Sequence, residues 1–255
     1  MRTVVLSKQC DYDADLFRLW AMWYRKIMKV DEIVLTPIHV RGANRIEETL
    51  SFYEEVADEI EVIEQDAYDI PAAWAAQLKV LEPHVDADTF WISADGDQFL
   101  DLDTIFVQPS GQAVFRRTNL YTRHPIDPDT LEETPVFTAL PDGRKSPLIP
   151  GQHGKRVCGL KGRLTHPGMT TTGNAIGPRC SPEGQEYHVA ARGAGPFVTK
   201  AAMYGRCKSR ARKHRVWYNR LQELGEGGLR KVYEDHIRKL DLIPHTAFKE
   251  RFRVH

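Results

Sequence analysis

The sequence predicts an α/β fold in which a mostly parallel sheet carries helices on both faces. Short apolar runs typical of strands alternate with segments of helical periodicity through the first hundred residues. Polar loops separate these segments. Such alternation indicates a parallel sheet, because each crossover between parallel strands normally includes a helix. Ligands of open sheets of this kind bind at the carboxyl ends of the strands.

Four strands and three helices are predicted in this first part of the chain. The strands are Val4–Leu6, Glu32–Thr36, Glu61–Glu64 and Thr89–Ser93. The first helix runs over Leu16–Met28, where apolar residues recur at helical spacing. The second covers Ile46–Ile60. The third begins near Pro71, which suits the first turn of a helix.

The amino-acid composition changes after Phe106. Residues 108–185 are rich in Pro, Gly and Thr. A long stretch without regular helices is usually functional or mobile. We expect only short strands there, at Val114–Phe115 and Val136–Phe137. Helices are expected over Phe197–Tyr204 and then over 217–224 and 229–240, with the glycines of 225–228 between these last two.

Composition and motifs exclude several classes of protein. No apolar run approaches the roughly 18 residues that a membrane helix needs, and the N-terminus does not resemble a signal peptide, so we expect a cytoplasmic protein. The four cysteines are far apart in sequence, which indicates reduced thiols rather than a zinc site. The sequence has no P-loop, GxGxxG or GxSxG motif, which disfavours an ATPase, a dehydrogenase or an α/β-hydrolase.

The net charge of zero hides an asymmetry between the two parts of the chain. Residues 1–110 hold 22 acidic and 9 basic residues, a balance of −13, and the rest holds 13 acidic and 26 basic, a balance of +13. An acidic part that holds a cation beside a basic part that holds phosphates suits a nucleotide-handling enzyme. The alternative is two complementary surfaces that pack on each other.

The sharpest motif is Asp95-Gly-Asp97, which directly follows the apolar strand predicted at Thr89–Ser93. Aspartate oxygens are hard donors of the kind that Mg²⁺ and Mn²⁺ prefer. A bound divalent cation bridges phosphates and offsets the charge of a departing nucleoside diphosphate. Gly96 would let the backbone approach that diphosphate. The alternative is a solvated turn favoured by Asp and Gly chemistry.

Two motifs together resemble the GT-A glycosyltransferases of the family 2-like and family 92-like group. The segment from Ile92 to Leu100 resembles that group's strand ending in Asp-x-Asp, with Gln98 where the group usually has Glu. A His, Arg, Phe and Lys series follows at the group's spacing, as His188, Arg192, Phe197 and Lys200. The series departs from the group at two positions: Tyr187 precedes the His instead of following it, and Gly193 replaces the usual Ser after Arg192.

The resemblance implies a GT-A domain over residues 1–205 and a role for each matched residue. The nucleotide-binding half would be 1–107, the acceptor and lid half 108–205, and residues 206–255 a basic helical tail. Asp95, Asp97 and His188 would hold Mn²⁺ or Mg²⁺, with Asp95 facing the ribose or a metal-bound water. Arg192 and Lys200 would neutralise phosphate oxygens or hold a mobile loop. A core histidine and a solvated helix start are the alternatives for His188 and for the two cations.

Further residues are placed near the donor by the same resemblance. Ser7, Lys8 and Asp11 lie in the loop where GT-A enzymes hold the nucleobase, while Asp66 and Gln77 would point to the base or ribose. Each is an ordinary surface residue in the alternative interpretation. The glycine-rich loops at 151–155 and 166–173 could form a lid over the donor.

The sequence does not single out the general base that an inverting transferase needs. Five carboxylates lie in the right part of the chain: Asp127, Asp129, Glu132, Glu183 and Glu186. Glu186 is the first candidate because it stands two residues before His188. Asp127 is the second. Each of the five is also consistent with an ordinary loop carboxylate.

Residues 206–218 form a dense basic run that ends in Trp217 and Tyr218. The run is either a solvated face, a surface that contacts the acceptor or a membrane, or a groove that binds nucleic acid. The last alternative is considered because basic residues beside stackable rings bind a phosphate backbone.

We therefore expect a metal-dependent transferase that moves a sugar from a nucleoside-diphosphate sugar, favouring UDP, to a hydroxyl acceptor, with inversion. The alternatives are a glycosyltransferase of modified DNA bases, a nucleotidyltransferase, and a non-enzymatic nucleic-acid-binding protein.

Overall fold

A computed structural model describes residues 2–8, 11–41, 47–104, 112–113, 115–139, 159–161, 184–206 and 212–254. The strands are β1 (Arg2–Ser7), β2 (Glu32–Leu35), β3 (Ile38–Val40), β4 (Glu59–Ile60), β5 (Ile63–Gln65), β6 (Thr89–Ser93), β7 (Gln98–Asp101), β8 (Gln112–Ala113), β9 (Phe115–Thr122), β10 (Phe137–Ala139), β11 (Gly159–Lys161), β12 (Gly184–Arg192) and β13 (Leu242–Pro244). The helices are α1 (Phe17–Met22), α2 (Glu47–Glu54), α3 (Ile70–Leu81), α4 (Ala194–Arg206), α5 (Arg212–Arg238) and α6 (Ala247–Arg253).

The main sheet has the strand order β4-β2-β1-β6-β11-β8. Its four strands from the first hundred residues run parallel, whereas β11 and β8 join antiparallel. The α/β class and the parallel sheet predicted from the sequence are confirmed. From β1 the chain continues to β2 and β4 on one side and then returns to β6 on the other. The strand order therefore reverses between β1 and β6.

Helices cover both faces of this sheet. Successive side chains of β1 point to opposite faces, so neighbouring residues of the strand pack against different helices. Val5 packs with Leu16, Trp20 and other residues around α1. Val4 and Leu6 pack instead with Trp74 of α3, in a cluster that also contains Trp91. Helix α3 begins where the sequence predicts, with Pro71 in its first turn and Asp69 as an N-cap that accepts from the backbone N–H of Ala72.

The first predicted helix, Leu16–Met28, is helical with two irregular ends. A 3-10 turn over Asp11–Leu16 leads into α1, and a π turn over Trp23–Ile27 follows it. The π turn carries two aromatic residues that reach strand β7. Trp23 Nε1 donates to the Leu100 carbonyl at 2.8 Å, and Tyr24 Oη donates to the Gln98 carbonyl and accepts from the Leu100 N–H. The helix thus fixes the strand that follows Asp95-Gly-Asp97.

The second predicted helix, Ile46–Ile60, is too long. Within the described residues it ends at Glu54, where the N–H groups of Val56 and Ala57 turn back to the Tyr53 carbonyl. The backbone is then free to extend, and Glu59–Ile60 forms β4 beside β2. The strand predicted at Glu61–Glu64 lies at Ile63–Gln65 as β5. It pairs with β3 in a separate two-stranded sheet rather than in the main one.

A second sheet of order β13-β10-β9-β12-β7 occupies the part of the chain where the sequence predicts little regular structure. The short strand predicted at Val114–Phe115 belongs in its described part to β9, which has eight residues. The strand predicted at Val136–Phe137 corresponds to β10. Strand β12 has nine residues and pairs parallel with β9 and antiparallel with β7. These two long strands were missed because neither shows a clean alternation of apolar and polar residues.

The residues after 205 share in the cores of the preceding part. Helices α4 and α5 pack together through Phe197, Tyr204 and Trp217. The two helices predicted on either side of 225–228 form α5, with a non-helical Gly225 at φ 66° between them. Strand β13 pairs with β10, and Phe248 of α6 is fully buried. In the described parts of the chain, no helix combines the length and apolar character needed to cross a membrane.

Candidate functional site

The carboxyl ends of β1 and β6 meet at the point where the strand order reverses, which is where open α/β sheets bind ligands. Lys8 follows β1 and Asp95 follows β6. Their side chains form an ion pair with 3.2 Å between Lys8 Nζ and Asp95 Oδ1. Ser7 Oγ also donates to the Ala94 carbonyl at 2.5 Å, which ties the two strand ends together.

Gln98 holds the Asp95-Gly-Asp97 turn in place. Its N–H donates to the Asp95 carbonyl at 2.9 Å, and its side-chain amide donates to Asp95 Oδ2 at 3.2 Å. The Gln98 side-chain oxygen accepts from the Asp95 N–H at 3.2 Å. A glutamate at this position could not donate to the Asp95 carboxylate unless it were protonated. The departure from the resembled group thus has a structural reason.

Asp97 is 8% exposed and lies between two residues of the His188 to Lys200 segment. His188 Nε2 is 3.4 Å from Asp97 Oδ2, and Lys200 Nζ is 3.5 Å from the same oxygen. Strand pairing places the histidine there, because β12 runs antiparallel to β7 with His188 opposite Gln98. The other ring nitrogen, His188 Nδ1, is 2.8 Å from Asn119 Oδ1 on β9. The two motifs recognised in the sequence therefore form one cluster.

Arg192 lies in the same cluster but pairs with two other carboxylates, those of Asp13 and Asp15. Its guanidinium donates to Asp13 at 2.9 Å and to Asp15 at 2.6 Å, and the residue is 4% exposed. Lys200 Nζ lies 3.9 Å from Asp13 Oδ1, so Asp13 connects Arg192 to Lys200. The resemblance assigns Arg192 to phosphate binding, but its guanidinium is already paired with the carboxylates of Asp13 and Asp15.

Gly193, which replaces the usual Ser of the resembled group, also has a structural reason. Its φ is +100°, a conformation that L side chains rarely adopt. A Cβ added there would lie 3.0 Å from the carbonyl oxygen of Arg123. Glycine lets the chain turn at once from β12 into α4, and this turn brings Arg192 and Lys200 to the same cluster.

The ionisation of the cluster follows from burial and from its neighbours. Burial raises the pKa of Asp13 to about 6, although Lys200 and Arg192 oppose that effect. Burial also acts to raise the pKa of Asp97, but the positive charge of its neighbours outweighs it and holds that pKa well below the usual range. Burial lowers the pKa of His188 despite Asp97. Burial thus favours the neutral form of His188 and Asp97 favours the charged form, with burial the larger effect, whereas Lys200 is a cation beside Asp97 in either case.

The other residues predicted near the donor differ in burial and in their contacts. Gln77 is buried, and its amide donates to Thr36 Oγ1 at 2.6 Å; Thr36 Oγ1 in turn donates to the Ser7 carbonyl. Ser7 and Gln77 thus belong to a buried network at the ends of β1 and β2. Asp66 is exposed and pairs with Arg41 at 3.4 Å. Asp11 begins the 3-10 turn after β1, and its side chain lies outside the described residues.

Each of the two predicted general bases is paired with an arginine. Glu186 is fully buried, and its Oε1 accepts from Arg117 Nε and Nη2 at 2.9 and 2.5 Å. Its other oxygen, Oε2, is buried and accepts no hydrogen bond from the described residues. Asp127 caps the turn Pro128–Thr130 and pairs with Arg18 at 3.2 Å. Asp129 also pairs with Arg18, Glu132 binds Arg253, and Glu183 lies outside the described residues.

The predicted divalent cation needs Asp95, Asp97 and His188 to face one point. The structure brings Asp97 and His188 together, whereas Asp95 faces Lys8 and Gln98. Among the described residues, no group of three His, Cys, Asp or Glu side chains is arranged to hold a metal ion. Each aspartate instead has a lysine ammonium within 3.5 Å. In this arrangement Asp95, Asp97 and His188 do not together form a site for the divalent cation that the resemblance implies.

The basic run at 206–218 is described only in part. The backbone of residues 207–211 and the side chains of 206–214 lie outside the described residues. Trp217 is 8% exposed and packs against Phe197 and Tyr204. Its ring is therefore part of the core and is not available for stacking on a base. The glycine-rich loops predicted as a lid, 151–155 and 166–173, also lie outside the described residues.

Sequence reasoning missed three residues of the cluster. Asp13 and Asp15 lie in the polar loop after β1, and their spacing of two repeats that of Asp95 and Asp97. That repetition, at the end of a second parallel strand, was a usable signal. Asn119 lies on the unpredicted strand β9, and nothing in the sequence marks it.

Comparisons with known proteins add little to this geometry. No protein-family model and no curated protein sequence matches the chain. Among solved structures, HddC from Yersinia pseudotuberculosis is similar over 82% of this chain and 99% of its own, at 13% identity and a TM-score of 0.35. The inositol-1-phosphate CTP transferase from T. maritima is similar over 83% and 98%, at 11% identity and a TM-score of 0.32. Both TM-scores are below 0.5, so neither likeness carries an argument.

Proposed function

We propose that this protein is a glycosyltransferase that binds a nucleoside-diphosphate sugar at the carboxyl ends of β1 and β6 and transfers the sugar to a hydroxyl acceptor. One observation carries the proposal. Asp95 and Asp97 follow β6 at the reversal of strand order, and His188 and Lys200 come to the same turn from a segment about ninety residues later. The two motifs that resemble the GT-A group thus form one site.

The charges of this site support a diphosphate ligand. Lys8 and Lys200 each bring an ammonium to the turn, and lysine is a common phosphate-binding residue. Burial acts to lower the pKa of Lys200, but Tyr204, Asp13 and Asp97 together raise it well above its ordinary value. Lys200 is therefore charged at neutral pH. Fixed positive charge stabilises the negative charge that develops on a departing nucleoside diphosphate.

His188 has a second role in this proposal. Its Nδ1 faces Asn119 and its Nε2 faces Asp97, so the ring is held on two sides. Asn119 Oδ1 and Asp97 Oδ2 are both acceptors, so a neutral ring donates to only one of them. A proton on Nε2 would donate to Asp97 and orient that carboxylate toward the substrate, with the Asn119 amide turned so that its NH₂ group faces Nδ1. Asp97 then positions a sugar hydroxyl or the Lys200 ammonium. The general base, the donor sugar and inversion at the anomeric carbon stay predictions.

The test is the identity of the product released from an activated donor. The protein is incubated with UDP-, GDP-, ADP-, CMP- and dTDP-sugars, with and without Mn²⁺, and nucleoside mono- and diphosphate are quantified. A parallel reaction contains nucleoside triphosphates and sugar phosphates, and pyrophosphate is quantified. We expect nucleoside diphosphate from at least one donor and no pyrophosphate. Pyrophosphate release instead would identify a nucleotidyltransferase, and the absence of any product would contradict both.

The acceptor is tested in the same assay. Donors that are turned over are combined with glycans, lipid acceptors, small-molecule alcohols and DNA carrying a hydroxymethylated base. An increase in nucleoside diphosphate release with one class identifies it. DNA binding that falls steeply with salt and survives Asp97→Ala, with no turnover of any donor, would indicate a nucleic-acid-binding protein instead.

A further inference from the structure

Both oxygens of the Asp95 carboxylate have a donor. Oδ1 lies 3.2 Å from Lys8 Nζ, and Oδ2 accepts from the Gln98 amide at 3.2 Å. The ammonium comes from the residue after β1 and the amide from the first residue of β7. The positions of β1 and β7 therefore place both partners beside Asp95. The side chains of Lys8 and Asp95 are each about three-quarters buried.

Asp97 has the equivalent arrangement on the other side of Gly96. Its Oδ2 lies 3.5 Å from Lys200 Nζ, and Lys200 also reaches Asp13 at 3.9 Å. Lys200 is on α4, whose start is fixed by the turn at Gly193 and by the pairing of Arg192 with Asp13 and Asp15. The lysine is therefore held beside Asp97 by the fold of the β12–α4 segment.

The two carboxylates of the turn thus each have their own ammonium, and the pairs lie on either side of a glycine. A divalent cation that entered between Asp95 and Asp97 would meet the two carboxylates and also the two ammonium groups already paired with them, in a region where burial weakens screening. Phosphate oxygens would instead bind the ammonium groups directly, while the carboxylates keep those groups in place.

Building on the proposed function, we propose that Lys8 and Lys200 together supply the positive charge at the donor diphosphate, so that this protein binds nucleoside diphosphates without a divalent metal. In this arrangement Asp95 and Asp97 hold the two ammonium groups in place. Lysine contacts phosphate as a compact point charge, so each ammonium would bind oxygens of the diphosphate independently of the other.

Binding of UDP, GDP, ADP and dTDP to the wild-type protein is measured by titration calorimetry in EDTA and, separately, with millimolar Mn²⁺. We expect at least one of the four to bind in EDTA, with an affinity that changes less than about threefold when Mn²⁺ replaces EDTA. Lys8→Met and Lys200→Met should each weaken binding about 10- to 100-fold, because each removes a hydrogen bond to a charged group. Lys231→Met, at an exposed lysine of α5, is the matched control and should bind like the wild type.

The double variant Lys8→Ala/Lys200→Ala gives a sharper test. Removing both ammonium groups leaves Asp95 and Asp97 without their cations, and paired carboxylates are then a suitable site for Mn²⁺. We expect this variant to lose binding in EDTA of the nucleoside diphosphate that the wild type binds, and its affinity for that nucleotide to rise about tenfold or more with Mn²⁺. Metal dependence would thus appear only after the lysines are removed. Thermal unfolding of each variant shows whether it is folded, and Lys8→Met, at a partly exposed position, keeps the test independent of Lys200.

Failure of this inference is distinguishable from failure of the proposed function. Binding by the wild type only with Mn²⁺ would overturn the role of the lysines and leave the transferase proposal standing. Binding in EDTA that neither lysine variant weakens would also overturn it. Absence of binding of all four nucleoside diphosphates in both conditions would overturn the proposed function itself.

Discussion

Asp97 and Lys200 lie 103 residues apart in the chain, and the fold brings Lys200 Nζ to 3.5 Å from Asp97 Oδ2. Asp97 follows the end of a parallel strand, and Lys200 is in the second turn of α4. Two separate structural facts make this contact: the reversal of strand order at β1 and the tight turn at Gly193. The contact joins the acidic part of the chain to the basic part.

Asp97→Asn should reduce release of nucleoside diphosphate by at least about 100-fold, because it removes the negative charge that holds Lys200 and weakens the acceptor that faces His188. The measurement is initial rate at saturating donor, with thermal unfolding recorded in parallel. The matched control is Asp88→Asn, an exposed aspartate that precedes the same strand β6 at its opposite end. An Asp97→Asn protein with a wild-type rate would remove Asp97 from the site.

Arg192→Ala should lower the free energy of unfolding by about 3 to 5 kcal/mol, since it removes the closest cation from the buried Asp13 and leaves that carboxylate only the more distant Lys200. Arg192→Lys should lower it less, because the charge remains and the forked geometry does not. Denaturant unfolding gives both values. Arg238→Ala, at a side chain 74% exposed that pairs only with Asp235 in the described contacts, should stay within about 0.5 kcal/mol of wild type. Equal effects of Arg192→Ala and Arg238→Ala would contradict the structural role of Arg192.

The raised pKa of Asp13, about 6 against an ordinary 3.8, predicts a specific pH dependence. Between about pH 4 and 6 the folded state keeps the Asp13 proton while the unfolded state releases it. The stability that this proton contributes is complete below about pH 4 and is lost as pH rises through 6. The difference in unfolding free energy between wild type and Asp13→Asn should therefore fall by about 1 to 3 kcal/mol over this range and stay level above it.

His188 titrates in both proteins of that comparison, so its contribution largely cancels in the difference. The measurement is a series of denaturant titrations from pH 4 to 8. The Asp88→Asn protein should follow the wild type without this change of slope. A difference between wild type and Asp13→Asn that rises with pH would mean that the pKa of Asp13 is lowered in the folded protein.

Phe248→Ala should cost about 3 to 5 kcal/mol of stability, since its ring is fully buried against Trp23, Phe99 and Tyr187. Two of these rings flank Gln98 and His188 in the sequence, so the variant should also lower the rate of transfer in the folded protein. Val254→Ala, at a position 75% exposed, is the control and should change stability by less than about 0.5 kcal/mol. An unchanged Phe248→Ala protein would show that α6 is not part of the core.

The sequence predicts the parallel part of the fold well because local patterns determine it. Apolar runs place β1, β2 and β6 correctly, and Pro71 marks the start of α3. Strands β9 and β12 are different, because pairing partners elsewhere in the chain stabilise them and their own residues mix charged, polar and apolar types. Ile60 shows the same limit: its pairing beside Leu35, rather than any local preference, makes it a strand residue.

The candidate site was predictable where a motif is continuous in sequence and unpredictable where it depends on pairing. Asp97, His188 and Lys200 come together as the two motifs imply. The ion pair of Lys8 with Asp95 depends on β1 and β6 being neighbours, which periodicity does not reveal. Likewise, Glu186 is an attractive base in sequence, but its register opposite Arg117 on β9 determines that it is enclosed in an ion pair.

The most direct test of the central claim is a crystal structure of the wild-type protein with the nucleoside diphosphate that binds most tightly of UDP, GDP, ADP and dTDP. We predict that the diphosphate lies at the carboxyl ends of β1 and β6, with its oxygens within hydrogen-bonding distance of Lys8 Nζ and Lys200 Nζ. A nucleotide bound elsewhere, for example along the basic residues of 206–218, with the Lys8–Asp95 and Lys200–Asp97 pairs undisturbed, would contradict the account.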